Sequence, residues 1–149
     1  MDNLADYIRR YEVAFRRIYR STNDMMKQHV HANITTDQFT VLQYIFYKEK
    51  VTSSQIAEEM GVGRSAITAL VNRLVERNMI TRKRNKRDRR IVYLFLTEDG
   101  KKAVKETEVA IHRYLKDKLN HFPIEDIEKF LESIEKLADL MEDDKGAEV

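Results

Sequence analysis

Residues 51–80 of the chain read VTSSQIAEEMGVGRSAITALVNRLVERNMI, and residues 81–100 continue as TRKRNKRDRRIVYLFLTEDG. Two short helical patterns lie on either side of Gly61, and an arginine-rich turn between two strand-like runs follows the second pattern. This order of elements is the outline of a winged helix-turn-helix. The sequence therefore predicts a mainly α-helical fold with a small β-wing.

The first short helix has a start signal in Thr52, with Gln55 three residues later in the spacing of a capping box. Gly61 can adopt the left-handed conformation that ends a helix and turns the chain. We expect Val62 to fill the angle between the two helices. The apolar residues that share the inner face of this helix are Ile56, Ala57 and Met60.

The second helix is predicted from about Arg64 to about Asn78, with a buried stripe that fixes its outward face. The stripe consists of Ile67, Leu70, Val71 and Leu74. Arginine reads guanine and asparagine reads adenine in the major groove, so a polar outward face suits DNA, although any solvated helix face has a similar composition. The candidate DNA-binding residues are Arg64, Ser65, Thr68, Ala69, Asn72 and Arg73.

The hairpin that follows favours the DNA-binding interpretation. One strand is predicted from Ile80 to Arg84 and its partner from Ile91 to Leu96, with a polar tip between them. Like charges at the density found here repel one another unless a polyanion neutralises them, which is typical of a DNA-binding wing. The basic residues are Arg82, Lys83, Arg84, Lys86, Arg87, Arg89 and Arg90, and they are opposed by Asp88 alone.

The segment from Leu42 to Gly100 resembles the MarR (multiple antibiotic resistance regulator) family of bacterial transcription factors. The motifs that carry the resemblance are Gln55-Ile56-Ala57, Val71-Asn72-Arg73-Leu74, Met79-Ile80-Thr81-Arg82, Asp88-Arg89-Arg90 and Leu96-Thr97-Glu98-Asp99-Gly100. Helices on both flanks also match the layout of that family. The resemblance implies that Arg90 enters the minor groove and that Asp88 helps to fix the wing.

Two positions depart from the family pattern. The family often has aspartate where this chain has Asn72, and that acid can pair with a wing arginine. A neutral Asn72 removes the ion pair but can still accept a hydrogen bond. The family also often has serine where Gly63 stands, and a glycine cap costs only a few tenths of a kcal/mol relative to serine or asparagine, so we do not expect damage there.

Length and composition bound the function. The chain has 149 residues, 42% of them hydrophobic and 35% charged, which suits one soluble domain with an added interface. No apolar run approaches the roughly 18–20 residues of a membrane span, and the N-terminus lacks the order of a signal peptide, so we expect a cytoplasmic protein without a membrane partner. The absence of cysteine excludes disulfides and thiol-based sensing.

The long terminal helices predict a homodimer. From about Asn3 to about His31 the apolar residues form a seam close to the repeat that pairs helices, which implies a partner helix; packing of the seam inside one subunit is the alternative. The seam is Leu4, Ile8, Tyr11, Phe15, Ile18, Thr22 and Met25, and the stripe of the last helix is Ile127, Phe130, Leu131, Ile134, Leu137, Ala138 and Met141. A symmetric dimer would present two recognition helices about one DNA turn apart to a pseudo-palindromic operator.

Three domains are predicted: an N-terminal dimerisation helix over residues 1–34, the winged domain over 35–99, and C-terminal dimerisation helices over 100–149. Thr35 and Gln38 have capping-box spacing ahead of a helix that braces the winged domain. Thr97 is the expected N-cap of a helix that reaches about His121, and Pro123 interrupts it. We expect the chain to fray beyond Met141.

Several alternatives remain open. No nucleophile with a base, metal site or phosphate-binding glycine loop is legible, which argues against an enzyme. A zinc-responsive regulator of the same fold and a winged-helix module that binds RNA or protein stay as alternatives, the first because of four histidines. These are His29, His31, His112 and His121.

We predict no cofactor. The resemblance instead implies a ligand-responsive repressor with a small-molecule site between the dimerisation helices and the winged lobes. The effector implied is a small phenolic or lipophilic molecule. The aromatic residues that are candidates for lining such a site are Tyr7, Tyr11, Phe15, Tyr19, Tyr44, Tyr47 and Tyr114.

Overall fold

The computed structural model of the protein describes residues 2–30 and 33–146. It confirms the prediction of a mainly α-helical fold with a small β-wing. The chain divides after Ile111 into two compact units, and the division falls within α5. The elements are α1 (Asp2–His29), α2 (Thr36–Lys48), α3 (Ser53–Met60), α4 (Arg64–Glu76), β1 (Ile80–Arg84), β2 (Val92–Leu96), α5 (Glu98–Leu119) and α6 (Ile124–Gly146).

Local signals set the helix ends, as the sequence predicts. Thr35 caps α2, where its hydroxyl accepts from the Gln38 amide at 3.1 Å and its own amide donates to Gln38 Oε1 at 3.1 Å. Thr52 caps α3 through the same reciprocal pair with Gln55, at 3.2 and 2.8 Å. Gly61 ends α3 in the left-handed region, with φ of 64°. Both capping boxes and the glycine stop are therefore confirmed.

The core of the first unit lies where α2, α3, α4 and the hairpin meet. The strands β1 and β2 are antiparallel, with Ile80 opposite Leu96 and Arg84 opposite Val92. Val51 adds a short bridge to β2 through two backbone hydrogen bonds with Leu94, at 2.7 and 3.3 Å. Burial of these apolar side chains stabilises the lobe by the hydrophobic effect. The largest contributors are Met26, Ile34, Leu42, Ile45, Ile56, Ile67, Leu74, Ile80 and Leu94.

A junction of the recognition helix, the hairpin and α5 explains the Leu-Thr-x-x-Gly motif. The Thr97 hydroxyl accepts from the Gly100 amide at 3.0 Å and donates to the Asn78 carbonyl at 2.6 Å. The Thr97 amide donates to the Met79 carbonyl at 3.1 Å. A Cβ at Gly100 would lie 2.2 Å from that same Met79 oxygen. Glycine is therefore required for the close approach of α5 to the end of the recognition helix.

Some expectations are wrong. Val62 does not fill the angle between α3 and α4, because 43% of its surface is exposed, whereas Ile56 on α3 and Ile67 on α4 are buried. The predicted fraying is wrong for residues 142–146, because α6 continues to Gly146, and residues 147–149 lie outside the described residues. Consecutive acidic residues are compatible with a helix whose surroundings are solvent. The first helix ends at His29, and His31 lies outside the described residues.

The terminal helices leave apolar faces uncovered in the single chain. At its C-terminal end α1 contributes Met25 and Met26 to the core, whereas Leu4, Ile8 and Ile18 are more than half exposed. None of the residues of α6 is buried. None of the helices in the described ranges is long and apolar enough to cross a bilayer.

Candidate nucleic-acid interface

The outward face of α4 is polar and accessible. All six of its predicted DNA-binding residues are exposed, opposite the buried Ile67, Val71 and Leu74. Ser65 and Asn72 lie near the middle of this face on the helical repeat. The six residues are Arg64, Ser65, Thr68, Ala69, Asn72 and Arg73. The helix thus offers a polar surface more than two turns long.

Two side chains in the N-terminal part of α4, those of Arg64 and Thr68, already donate hydrogen bonds within the protein. The Arg64 guanidinium donates to the Ser54 hydroxyl on α3, which holds the two helices of the motif together. The Thr68 hydroxyl donates to the Arg64 carbonyl at 2.8 Å, one turn earlier in the same helix. Since that bond uses the only hydroxyl hydrogen, the Thr68 side chain has oxygen lone pairs and a methyl group left for a partner.

Asn72 joins the recognition helix to the wing. Its Oδ1 accepts a hydrogen bond from the guanidinium of Arg82 on β1. Because this chain has asparagine where the family often has aspartate, the contact is a hydrogen bond between a neutral amide and a charged guanidinium, and not an ion pair. Both side chains belong to exposed residues, so the connection lies on the surface that the helix and the wing share.

The wing tip holds a paired aspartate and arginine, as the sequence predicts. Arg90 donates from Nε to Asp88 Oδ1 at 3.1 Å and from Nη2 to Oδ2 at 3.0 Å, and its amide donates to Oδ1 at 3.1 Å. These bonds lower the pKa of the Asp88 carboxyl and raise the pKa of Arg90. The Arg90 side chain remains 91% exposed, so it is oriented without being withdrawn from solvent.

Asn85, whose role was not predicted from the sequence, further shapes the tip. Asn85 Oδ1 accepts from the amides of Arg87 at 2.7 Å and Asp88 at 3.1 Å, the pattern of an asparagine-initiated turn. Across the base of the tip, Arg84 Nη1 donates to the Arg89 carbonyl at 2.5 Å. An asparagine at the first position of a polar turn is the signal that would have identified this role.

The basic side chains of the tip face solvent. Lys86, Arg87 and Arg89 are exposed, as are Arg84 and Arg90, and Asp88 is the single acid among them in the sequence. Such a concentration of positive charge attracts a polyanion and makes binding dependent on salt. The predicted wing residues Arg82, Arg84, Lys86, Arg87, Asp88, Arg89 and Arg90 are thus all placed on β1 or the tip.

A groove in the first unit lies between α1, the start of α2 and the recognition helix. Its volume is about 560 Å³, within the range typical of small-molecule sites. Of the candidate aromatic residues, Tyr19 lines it, and two predicted DNA-binding residues, Ala69 and Arg73, do so as well. The other lining residues are Asn23, Lys27, Thr35, Asp37, Gln38, Ala66 and Leu70.

The other candidate aromatic residues are distributed elsewhere. Tyr7, Tyr11 and Phe15 are exposed along α1. On α2, Tyr47 donates to Glu108 Oε1 at 2.7 Å, which raises the pKa of the tyrosine, while Tyr44 is half-buried. Tyr114 belongs to the second unit, with the Lys118 ammonium over its ring.

The structure does not assemble histidines and acids into a metal site within the ranges 2–30 and 33–146. His29, His112 and His121 are exposed there. His31 was also a candidate and lies outside those ranges.

The predicted dimerisation residues lie on accessible surfaces. Ile127 and Ile134 are half-buried in the second unit. An apolar groove of about 490 Å³ between the end of α5 and the start of α6 includes Ile127 together with Leu115 and Leu119. The exposed members are Leu4, Ile8, Tyr11, Phe15, Phe130, Leu131, Leu137 and Met141.

Comparison with known proteins identifies the fold and the family. Residues 23–107, more than half of the chain, match the family model described as transcriptional regulator SarA/Rot. This chain is a MarR-type transcriptional regulator of the SarA/Rot family. The resemblance inferred from the helix-turn-helix and the wing is confirmed, as is the expectation of a DNA-binding regulator and not an enzyme.

Two relatives and one solved structure illustrate the similarity. The organic hydroperoxide resistance transcriptional regulator of Bacillus subtilis (strain 168) is 30% identical over 104 residues, covering 67% of this regulator and 71% of the relative. The transcriptional regulator MhqR of the same organism is 30% identical over 89 residues, covering 59% and only 61%, less than two thirds of its length. A mutant MarR from E. coli complexed with operator DNA superposes with a TM-score of 0.75 at 19% identity, covering 89% and 96%, which shows the shared fold.

Proposed function

We propose that this regulator acts as a homodimer on a pseudo-palindromic operator, where it represses transcription until a small molecule releases it. The observation that carries the proposal is the joint surface of α4 and the wing. Asn72 on the helix is bonded to Arg82 on β1, and Arg90 is oriented at the tip by Asp88. One rigid lobe therefore offers base-reading groups beside a phosphate-attracting tip.

In this proposal the two parts of the lobe have different roles. The α4 face enters the major groove, where Ser65, Thr68 and Asn72 meet base edges. The wing follows the backbone, with Lys86 and Arg87 neutralising phosphates and Arg90 entering the minor groove. Base contacts carry sequence information and phosphate contacts do not. Substitutions of the base-reading residues should therefore alter the preferred sequence, whereas substitutions of the phosphate-binding residues should not.

The homodimer is supported by the uncovered apolar faces. Leu4 on α1 is 65% exposed and Phe130 on α6 is 54% exposed, and apolar side chains left uncovered along a helix are typical of an interaction surface. We assign the partner as a second copy of the same chain, because two-fold symmetry of the protein matches the symmetry of a palindromic site.

The groove beside the recognition helix is the proposed effector site. Lys27 and Arg73 line it together with Tyr19, against the single acid Asp37. Two cations beside an aromatic ring suit a small phenolic or lipophilic molecule that carries an anionic group. A ligand there would contact Arg73, which lies on α4 itself, and could thereby shift the helix that reads DNA.

The deciding experiment is selection of bound sequences from random duplex DNA, followed by titration of the selected duplex and of each of its separate strands. We expect a symmetric consensus with two half-sites, tight binding to the duplex alone, and one dimer per site by sedimentation. A preference for single strands, or a stable monomer at micromolar concentration, would contradict the proposal. A reporter gene under the selected operator then tests repression, which should be relieved when the effector is supplied.

A further inference from the structure

Arg82 makes a hydrogen bond that its place in a basic wing does not explain. Two neighbouring wing arginines bind partners within the wing itself: Arg84 donates to the Arg89 carbonyl, and Arg90 is paired with Asp88. Arg82 instead donates to the Oδ1 of Asn72 on the recognition helix. Its guanidinium therefore lies at the base-reading surface.

The chemistry of the pair fixes the direction of the Asn72 amide. A guanidinium carries five N–H donors and no acceptor, so the amide atom that faces Arg82 must be the oxygen. The Nδ2 group, with its two hydrogens, is then the part of Asn72 left for another partner. The pair as a whole presents donors: the amide hydrogens of Asn72 and the guanidinium hydrogens that it does not use.

This polarity bears on which base the helix can read. An asparagine reads adenine by accepting from N6 with its oxygen while donating to N7, so adenine reading must break or share the bond to Arg82. Guanine presents two acceptors in the major groove, N7 and O6, and requires only donors. The arrangement as it stands supplies the donors that guanine requires, whereas adenine would require the Asn72 oxygen to accept a second hydrogen bond beside that from Arg82.

We propose that Arg82 is a specificity-determining residue, which turns the Asn72 amide so that the two side chains together read guanine in the operator half-site. The inference rests on the proposed function, because it assumes that the α4 face lies in the major groove. It differs from the usual pairing of asparagine with adenine in the major groove. In this assignment Arg82 acts on base choice and not solely as a phosphate-binding cation.

The test uses the full-length regulator, the selected operator, and duplexes that carry each of the four base pairs at every half-site position. Asn72→Ala first identifies the position whose base preference depends on this side chain. Arg82→Met then removes the donors while keeping an unbranched side chain. Lys83→Met is the matched control, because it removes the same charge from the next residue of β1, whose side chain points to the other face of the strand.

The unaltered protein should prefer guanine at the Asn72-dependent position by about tenfold or more, the discrimination typical of a bidentate contact. Arg82→Met should abolish that preference and favour adenine, whereas Lys83→Met should weaken all duplexes alike and leave the preference unchanged. In the Asn72→Ala background, Arg82→Met should not alter base preference any further, since coupled side chains are not additive.

Retention of the guanine preference in Arg82→Met would overturn the inference, as would an adenine preference in the unaltered protein or no preference that depends on Asn72. All three altered residues are exposed, and a thermal unfolding curve for each variant checks that loss of preference does not reflect loss of fold. Absence of any preference for duplex over single strands would instead refute the proposed function. If Arg82→Met still binds the operator duplex specifically and keeps the guanine preference, the present inference alone is refuted.

Discussion

Adding one methyl group at Gly100 should destabilise the regulator, although the residue lies in a helix. In a helix interior, alanine is favoured over glycine by about 1 kcal/mol, so propensity alone predicts stabilisation. The new Cβ, however, would lie 2.2 Å from the Met79 carbonyl oxygen. An ordinary carbon-to-oxygen contact is about 3.3 Å, so the backbone must move by about 1 Å.

That movement has a cost that can be stated. The Met79 oxygen also accepts from the Thr97 amide at 3.1 Å, so displacing it strains a bond worth about 0.5–1.5 kcal/mol. Overpacking itself costs about 1–3 kcal/mol. After the gain in helix propensity, we expect Gly100→Ala to lower the free energy of unfolding by about 1–3 kcal/mol and the Tm by about 3–10 °C.

Urea denaturation and calorimetry measure the effect, with Gly63→Ala as the control. A Cβ at Gly63 would meet nothing within 4 Å, and its φ is −69°, so an added methyl group there should change stability by less than about 1 kcal/mol. If Gly100→Ala unfolds at the same or a higher temperature than the unaltered protein, the close contact between α5 and the end of α4 does not restrain the fold as argued.

The remaining predictions concern the wing. Arg90→Ala should weaken operator binding, more on A·T-flanked sites than on G·C-flanked ones, with little change in Tm. Asp88→Ala should weaken operator binding while tightening binding to random duplex. Tighter binding of Asp88→Ala to both duplexes would mean that Asp88 does not orient Arg90. Because the folded pKa of Asp88 is lowered, its bonds to Arg90 are present at neutral pH and are lost only as pH falls through that lowered pKa, so an NMR titration should find a midpoint below that of an ordinary aspartate, and this midpoint should move up in Arg90→Ala. Lys86→Ala should reduce the slope of log affinity against log salt by about one unit without altering the preferred sequence, and an altered sequence would place Lys86 at a base.

Local chemistry made much of the fold predictable. The caps at Thr35 and Thr52 depend on residues three positions away, and the buried stripe of α4 depends only on helical period. The pairing of Asp88 with Arg90 also depends on residues only two positions apart, which the structure holds in a turn closed by the Ile91 amide and the Asp88 carbonyl at 3.1 Å. Such features need no knowledge of how distant elements pack.

The remaining features depend on tertiary placement. The bond between Asn72 and Arg82 forms only because β1 lies beside the C-terminal half of α4, which no spacing in the sequence specifies. The requirement for Gly100 comes from a carbonyl 21 residues earlier in the chain. Hydrophobicity alone predicts Val62 inside, but 43% of its surface is exposed.

The turn that Asn85 builds bears on the thermodynamics of DNA recognition. A loop that becomes ordered only on contact loses conformational entropy at the moment of binding, which weakens the complex and slows its formation. Here two amides are already bonded to Asn85 and the Arg90 guanidinium to Asp88 before any duplex arrives. The association rate should therefore be governed by charge attraction. The entropy of binding should be dominated by released counterions and not by folding of the tip.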